Sequence, residues 1–223
     1  VLSKPIPRWV LLAGFLLAAT AGSVNAVGLL GIHHQALSHL SGLLTALSNE
    51  VAGSHGSLAL KAAAVIGAFF AGCVLSALLI RHEALQLGRR YGAVLILESA
   101  CLWAAWWLLR QDRYAGECAA ALACGLQNAM ASNYSGAVIR TTHMTGMVTD
   151  LGIALGQALR GAAVDCRRAG LYGLLLAGFV AGGIGGSYGY FTLGVATLVF
   201  PASLTGLAGL AILTVLPRAG PGR

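Results

Sequence analysis

Charge is what this chain has least of. Only 9% of its 223 residues are Asp, Glu, Lys or Arg, against roughly a quarter in an ordinary soluble domain. That scarcity excludes a soluble globular domain as the main body of the protein. Acids are scarcer still, 7 against 14 Lys and Arg, which leaves a net charge of +7. No nucleophile–base pair and no metal-ligand spacing stands out, so no enzyme, cofactor or metal is expected. The 5 cysteines are an odd number and show no CxxC pair. Cys73, Cys101, Cys118 and Cys124 lie in apolar stretches and read as small packing residues, whereas Cys166 sits beside Arg167 and Arg168.

What the chain has instead is apolar length. Hydrophobic residues make up 57% and the mean hydropathy is +0.79. They come in runs nearly free of charge: Trp9 to Gly31, Leu58 to Ile80, Tyr91 to Leu109, Ala115 to Ala131, Leu171 to Ile184 and Tyr190 to Leu216. About 20 apolar residues cross a bilayer as a helix. The Leu171 run reaches that length only by continuing through Gly185-Gly186-Ser187. The expectation is an all-α, polytopic membrane bundle of about six helices in a single domain over 1–223.

The basic residues sit at the ends of these runs, so membrane topology accounts for them before nucleic acid does. With a cytoplasmic N-terminus and six crossings, Lys4, Arg8, Arg81, Arg89, Arg90, Arg140, Arg160, Arg167, Arg168, Arg218 and Arg223 fall inside. Only Lys61, Arg110 and Arg113 fall outside. Both termini are then cytoplasmic. A secretory signal competes for the first helix, with Lys4 and Arg8 ahead of Ala19-Thr20-Ala21. Asn25 belongs to the duplicated unit described next, which argues for keeping that helix.

An eight-residue pattern occurs twice. Ser38-His39-Leu40-Ser41-Gly42-Leu43-Leu44-Thr45 is answered by Thr142-His143-Met144-Thr145-Gly146-Met147-Val148-Thr149, type for type. Upstream, Gly22-Ser23-Val24-Asn25 answers Gly125-Leu126-Gln127-Asn128, and downstream Ala68-Phe69-Phe70-Ala71-Gly72 answers Gly178-Phe179-Val180-Ala181-Gly182. The offset grows from 103 to 104 to 110 residues, as loop insertions would produce. Repeat one then covers about 9–110 and repeat two about 115–216. Three crossings per unit invert the second copy, the plan of many secondary transporters. If segments 38–53 and 141–160 also cross, there are eight crossings and a parallel repeat.

Gly after a hydroxyl residue is a place where a helix starts or packs closely. Two short half-helices are expected, Leu43 to Val51 and Met147 to Leu159, with inward N-termini that favour an anion or polar oxygen. The candidate binding residues are Asn25, His39, Ser41 and Gly42 from the first copy. Gln127, Asn128, Arg140, Thr141, Thr142, His143, Thr145 and Gly146 come from the second. Arg140 is either a buried anion fork or an interfacial anchor. The two histidines are candidate proton carriers, the alternative being structural hydrogen bonds. A metal site from His33, His34, His39 and His143 lacks supporting carboxylates or thiols. Glu98, the only acid deep in an apolar run, is a candidate for the coupling proton or a partner for Arg140 or a histidine. Asp150 is expected in the first turn of its half-helix, complementing the helix dipole. Trp103, Trp106 and Trp107 are expected at the outer membrane interface.

The segments Gly125-x-Gln127-Asn128 and Arg140-Thr141-Thr142-x-Met144-Thr145-Gly146 resemble the YoaK-like family of uncharacterised bacterial inner-membrane proteins, over about Trp9 to Leu216. The resemblance implies a multi-pass protein of the bacterial inner membrane and supplies no substrate. Where the family pattern has Thr-Gly-Asn this chain has Ser41-Gly42-Leu43, and where it has an acid in helix one this chain has Asn25. If that acid carries a coupling proton, the coupling is lost here or moved to Glu98. The functional expectation is a small transporter or channel for a small anionic or polar solute, working as a homodimer in the lipid bilayer. The alternative is a non-transporting scaffold or a lipid- or partner-binding protein.

Overall fold

The apolar runs fold as long helices because a backbone in hydrocarbon must satisfy its own N–H and C=O groups. The structure, a computed structural model, describes residues 7–31, 34, 36–80, 87–135 and 139–216. In order these form α1 (Arg8–Leu30), α2 (Leu40–Ala52), α3 (Gly56–Leu79), α4 (Arg89–Leu109), α5 (Ala115–Ser135), α6 (Met144–Leu159), α7 (Cys166–Leu193), a 3-10 turn (Gly194–Leu198) and α8 (Val199–Val215). No strand occurs among the described residues. The Leu171 run does continue through its glycines, giving a helix of 28 residues.

Length and composition together qualify 4 stretches to cross a membrane: α1, α3, α4 and the 50-residue Cys166–Val215. The last is long enough for two crossings. It reverses at Gly194, whose φ of 61° suits glycine, and Gly189 closes the reversal against Thr197. Of the six runs expected to cross, the one that forms α5 is not among those apolar enough by composition. It is 21 residues long but carries Glu117, Gln127, Asn128 and Asn133, and it falls short on composition. The reason is its place in the bundle. Gly116, Ala120, Ala121, Ala123, Gly125, Leu126 and Gln127 are all buried by neighbouring helices. A helix enclosed by protein does not need an apolar coat.

Small residues pack the helices together. A Cβ on Gly22 would overlap the carbonyl of Phe179, and one on Gly182 the carbonyl of Ala19, so α1 and α7 touch backbone to backbone. In the same way Gly125 meets the carbonyl of Phe69 and Gly72 that of Leu122, which joins α5 to α3. In both pairs residue numbers rise together, so the helices run parallel. The α4–α8 pair is antiparallel: Arg89 Nη1 donates to the Leu216 carbonyl at 3.1 Å, and Ser99 Oγ to that of Ala202 at 2.7 Å. Gly92 and Gly209 meet where α4 and α8 cross; a Cβ on either would lie 2.8 Å from the other's carbonyl oxygen. Without a hydrophobic drive between helices in lipid, such close approach is what holds them. Large apolar side chains point outward, among them Phe70 (68% exposed), Leu78 (72%) and Phe191 (74%).

The two short helices lie outside this bundle. α2 packs on α3 and α6 on α7. At 13 and 16 residues they rise about 20 and 24 Å, less than the ~30 Å of a hydrocarbon core. Each buries a single residue, Leu43 in α2 and Met147 in α6, the same position of the duplicated pattern. α6 stops at Gly161 with φ 74°, where the Gly161 and Ala162 amides close back on Ala158 and Gln157. α7 starts on Asp165, whose carboxylate accepts the Arg167 and Arg168 amides at 3.1 Å each.

Adding a methyl where backbones already touch should cost ~1–3 kcal/mol, the usual range for overpacking. Gly125→Ala and Gly182→Ala are therefore expected to lower the thermal unfolding midpoint in detergent. Gly67→Ala and Gly173→Ala, with nothing within 4 Å of the new carbon, should stay within ~0.5 kcal/mol of the parent. Equal losses in both pairs would contradict the close-packing account.

Candidate functional site

The duplicated pattern keeps its local conformation in both copies. His39 and His143, not the flanking hydroxyl residues, occupy the N-cap positions of α2 and α6, and neither makes a side-chain cap bond. The expected Ser/Thr caps are thus corrected. Thr45 Oγ1 donates to the Ser41 carbonyl at 3.0 Å, and Thr149 Oγ1 to that of Thr145 at 2.9 Å. The threonine that ends each pattern thus bonds back within its own helix and does not cap the start.

The surroundings of the two copies differ. In the first, Asn25 on α1 reaches the loop before α2. Its Oδ1 accepts the Ser38 amide at 3.2 Å and the Ser38 hydroxyl at 3.1 Å, with both residues buried. This draws the chain back along α1 and lays the His39 ring on Phe179 of α7, centroids 5.9 Å apart and 14° from parallel. Ser41 and Gly42 face outward, and nothing lies within 4 Å of a carbon added to Gly42.

In the second copy the matching contacts are not made. Asn128 Oδ1 and Thr141 Oγ1 are buried and have no hydrogen-bond partner among the described residues. Thr142 is half-buried, and Arg140, His143 and Thr145 are exposed. Of the two expectations for Arg140, the structure therefore gives the exposed one. The His143 imidazole folds over Gly146, where a Cβ would collide with the ring. Arg140, His143, Gly146, Asp150, Arg168 and Tyr172 line an open recess of about 220 Å³. Asp150 lies in the second turn of α6, not the first as expected, and pairs with Arg168 Nη2 at 3.2 Å. Arg168 Nε donates to the Tyr172 hydroxyl at 2.8 Å. Arg140 makes no ion pair among the described residues, so the recess holds one arginine neutralised by Asp150 and one that is not.

Between these levels lies the middle of the bundle. Gln127 on α5 is buried and donates Nε2 to the Leu17 carbonyl of α1 at 2.8 Å. Glu98 on α4 is 1% exposed, and its Oε2 has no partner among the described residues. Among the described residues it pairs with neither Arg140 nor a histidine. Thr20 on α1 and Ser76 on α3 are also buried with unpartnered hydroxyls. Each such group costs ~1–3 kcal/mol relative to a satisfied one. The predicted residues thus sit at separate levels: Asn25 and His39 with Ser38, Gln127 with Glu98 in the middle, Arg140 with His143 at the α6 end. His33 lies outside the described residues, among which no metal-ligand cluster occurs. Sequence reading missed Arg168 and Tyr172 as recess residues. It also missed Thr20 and Ser76, which carry no signal among so many small residues.

The structure also contains an apolar cavity of about 270 Å³ between α1, α4, α5 and α8. Trp9, Tyr91 and Tyr134 stand at one end of it, the Tyr134 ring edge-on to both others at 6.0 and 5.7 Å.

A family model described as "Protein of unknown function (DUF1275)" matches residues 13–211, and the chain belongs to that family. No curated protein and no solved structure matches it.

The two repeat asparagines make a paired test. Asn25→Ala strands the Ser38 amide and hydroxyl and should cost ~1–3 kcal/mol. Asn128→Leu removes a carbonyl that has no partner and should leave thermal stability unchanged or raised. Equal losses from the two variants, measured in one detergent, would show that the copies are equally satisfied.

Proposed function

We propose that this DUF1275 member is a small secondary transporter or channel for a small anionic or polar solute. Its apolar helices fit a multi-pass membrane protein. The reading adds six crossings in an inverted three-plus-three repeat, with α5 crossing inside the bundle and both termini cytoplasmic. Several observations support that arrangement. Gly22 on Phe179 and Gly125 on Phe69 are the same contact by repeat position, as are Gly182 on Ala19 and Gly72 on Leu122. The repeat partners α4 and α8 run antiparallel, as inversion requires and a parallel repeat forbids. Inverted repeats place their solute site where the halves meet, near mid-membrane.

The observation that carries the transport reading is Glu98. A carboxyl group enclosed in a membrane bundle without a cation is a functional candidate by default. It lies beside α5, the helix that brings Gln127 and Asn128, in a bundle with further unpartnered hydroxyls at Thr20 and Ser76. We assign Glu98 the coupling proton, and Arg140 with His143 the capture of an anion at the cytoplasmic end. His39, locked on Phe179, acts as wall. A bundle of six crossings is small for a transporter, and a homodimer is part of the reading.

The direct test is flux in proteoliposomes over a panel of small anions, with and without a pH gradient. Glu98→Gln should abolish the response to the gradient, and Arg140→Ala should lower uptake about tenfold, as loss of a charge-assisted contact does. No flux for any solute would overturn the proposal. Topology is tested separately with an impermeant maleimide on intact cells. Gln111→Cys should label from outside and Gly88→Cys should be protected; the reverse pattern fits eight crossings. The alternative, a lipid- or partner-binding scaffold, is favoured by one observation: the cavity between α1, α4, α5 and α8 is apolar, not polar.

A further inference from the structure

The repeat is unevenly packed. α4 lies against α5 along its length, but the corresponding pair, α8 and α1, barely touches. The 270 Å³ cavity is the gap this leaves. α4 and α5 form its back wall. Leu16 and Leu204, which line it from α1 and α8, are 37% and 41% exposed, so it opens sideways between those helices. Its lining is almost wholly carbon. Thr205, at its inner end, spends its hydroxyl on the Pro201 and Ala202 carbonyls of its own helix. The other threonine hydroxyl of the lining, on Thr20, is buried and unpartnered among the described residues, so the surface offered to a ligand is carbon.

The end of the cavity carries the opposite chemistry. Trp9, Tyr91 and Ile139 lie there, where α1 and α4 begin and the chain leaves α5. Each is next in sequence to an exposed arginine: Arg8, Arg90 and Arg140. The fold thus puts exposed arginines at the end of the bundle where the apolar slot carries its aromatic rings, and of these Arg140 lines the neighbouring recess of α6. Aromatic rings of this kind sit at headgroup level in a bilayer, and basic residues between membrane helices bind anionic headgroups. A slot that is open to the side, dry along its length and cationic at one end matches one molecule: a phospholipid with a single negative headgroup.

We propose that the cleft between α1 and α8 is a binding site for an anionic phospholipid. One acyl chain lies along Leu16, Leu17 and Ala208, and the phosphate sits at the end where Arg8 and Arg90 begin α1 and α4. The proposal does not depend on transport, because a resident lipid would bind equally to a scaffold.

The full chain is reconstituted in vesicles of equal phosphatidylglycerol and phosphatidylcholine, extracted in mild detergent and examined by native mass spectrometry. The expected result is one retained phosphatidylglycerol per chain. Ala208→Phe fills the slot from an exposed position and should abolish retention, while Leu60→Phe, on the exposed face of α3, should not. Arg8→Gln and Arg90→Gln should each lower the preference for phosphatidylglycerol over phosphatidylcholine about fivefold, the equivalent of about 1 kcal/mol per arginine. An unchanged thermal unfolding midpoint identifies the variants as folded. The proposal is overturned if phosphatidylcholine is retained equally by the parent chain, if no lipid is retained, or if Ala208→Phe binds as the parent does.

Discussion

Backbone-to-backbone contact in two parallel helix pairs is the constraint on which the rest depends. Gly22 and Gly182 bring α1 onto α7, and Gly72 and Gly125 bring α3 onto α5. In lipid there is little to gain by hiding one apolar surface against another, so contact area and close approach decide which helices associate. Once α1 and α7 touch, Phe179 is presented to the loop that Asn25 holds through Ser38. Once α5 lies between α3 and α4, it can carry Gln127 and Asn128 in a membrane protein. Small residues at the helix crossings follow from the same rule, while many large apolar side chains face outward.

The two copies of the motif show how one local sequence serves two environments. Both start a short helix at a histidine, and each of those helices buries one residue, the sixth of the pattern. The first is tied to α1 by Asn25 and its histidine is stacked. The second is left open, with Arg140 and His143 in a surface recess and Asn128 and Thr141 unpartnered. In the proposed function the first copy serves as wall and the second captures the solute, which matches that division.

The cavity between α1 and α8 comes from a related inequality. The contact that α4 makes with α5 has no full counterpart on the other side. An apolar space open to the side between α1 and α8 is a consequence of the way the bundle closes. The polar layer at Glu98 and Gln127 and the apolar slot near Thr20 lie in the same middle region of the bundle, so what fills one bears on the packing of the other.

The sequence by itself determined the helices. Long apolar runs in lipid have no alternative to helix, so α1, α3 and α4 follow from composition, and α2 and α6 from the duplicated pattern. The equivalence of Gly22 with Gly125 and of Gly72 with Gly182 was legible as spacing, because small residues leave a periodic trace. Only the tertiary structure decided which of the marked residues meet. Asn25 finds Ser38, Asp150 finds Arg168, and Glu98 finds no cation among the described residues, although all are equally visible as polar letters in apolar text. Burial explains the difference. A polar residue's role in a bundle depends on the helix lying opposite it, and that is set by backbone contacts from another part of the chain. The same holds for the cavity: Trp9, Tyr91 and Tyr134 come from three helices, and no spacing along the chain records that they share one mouth.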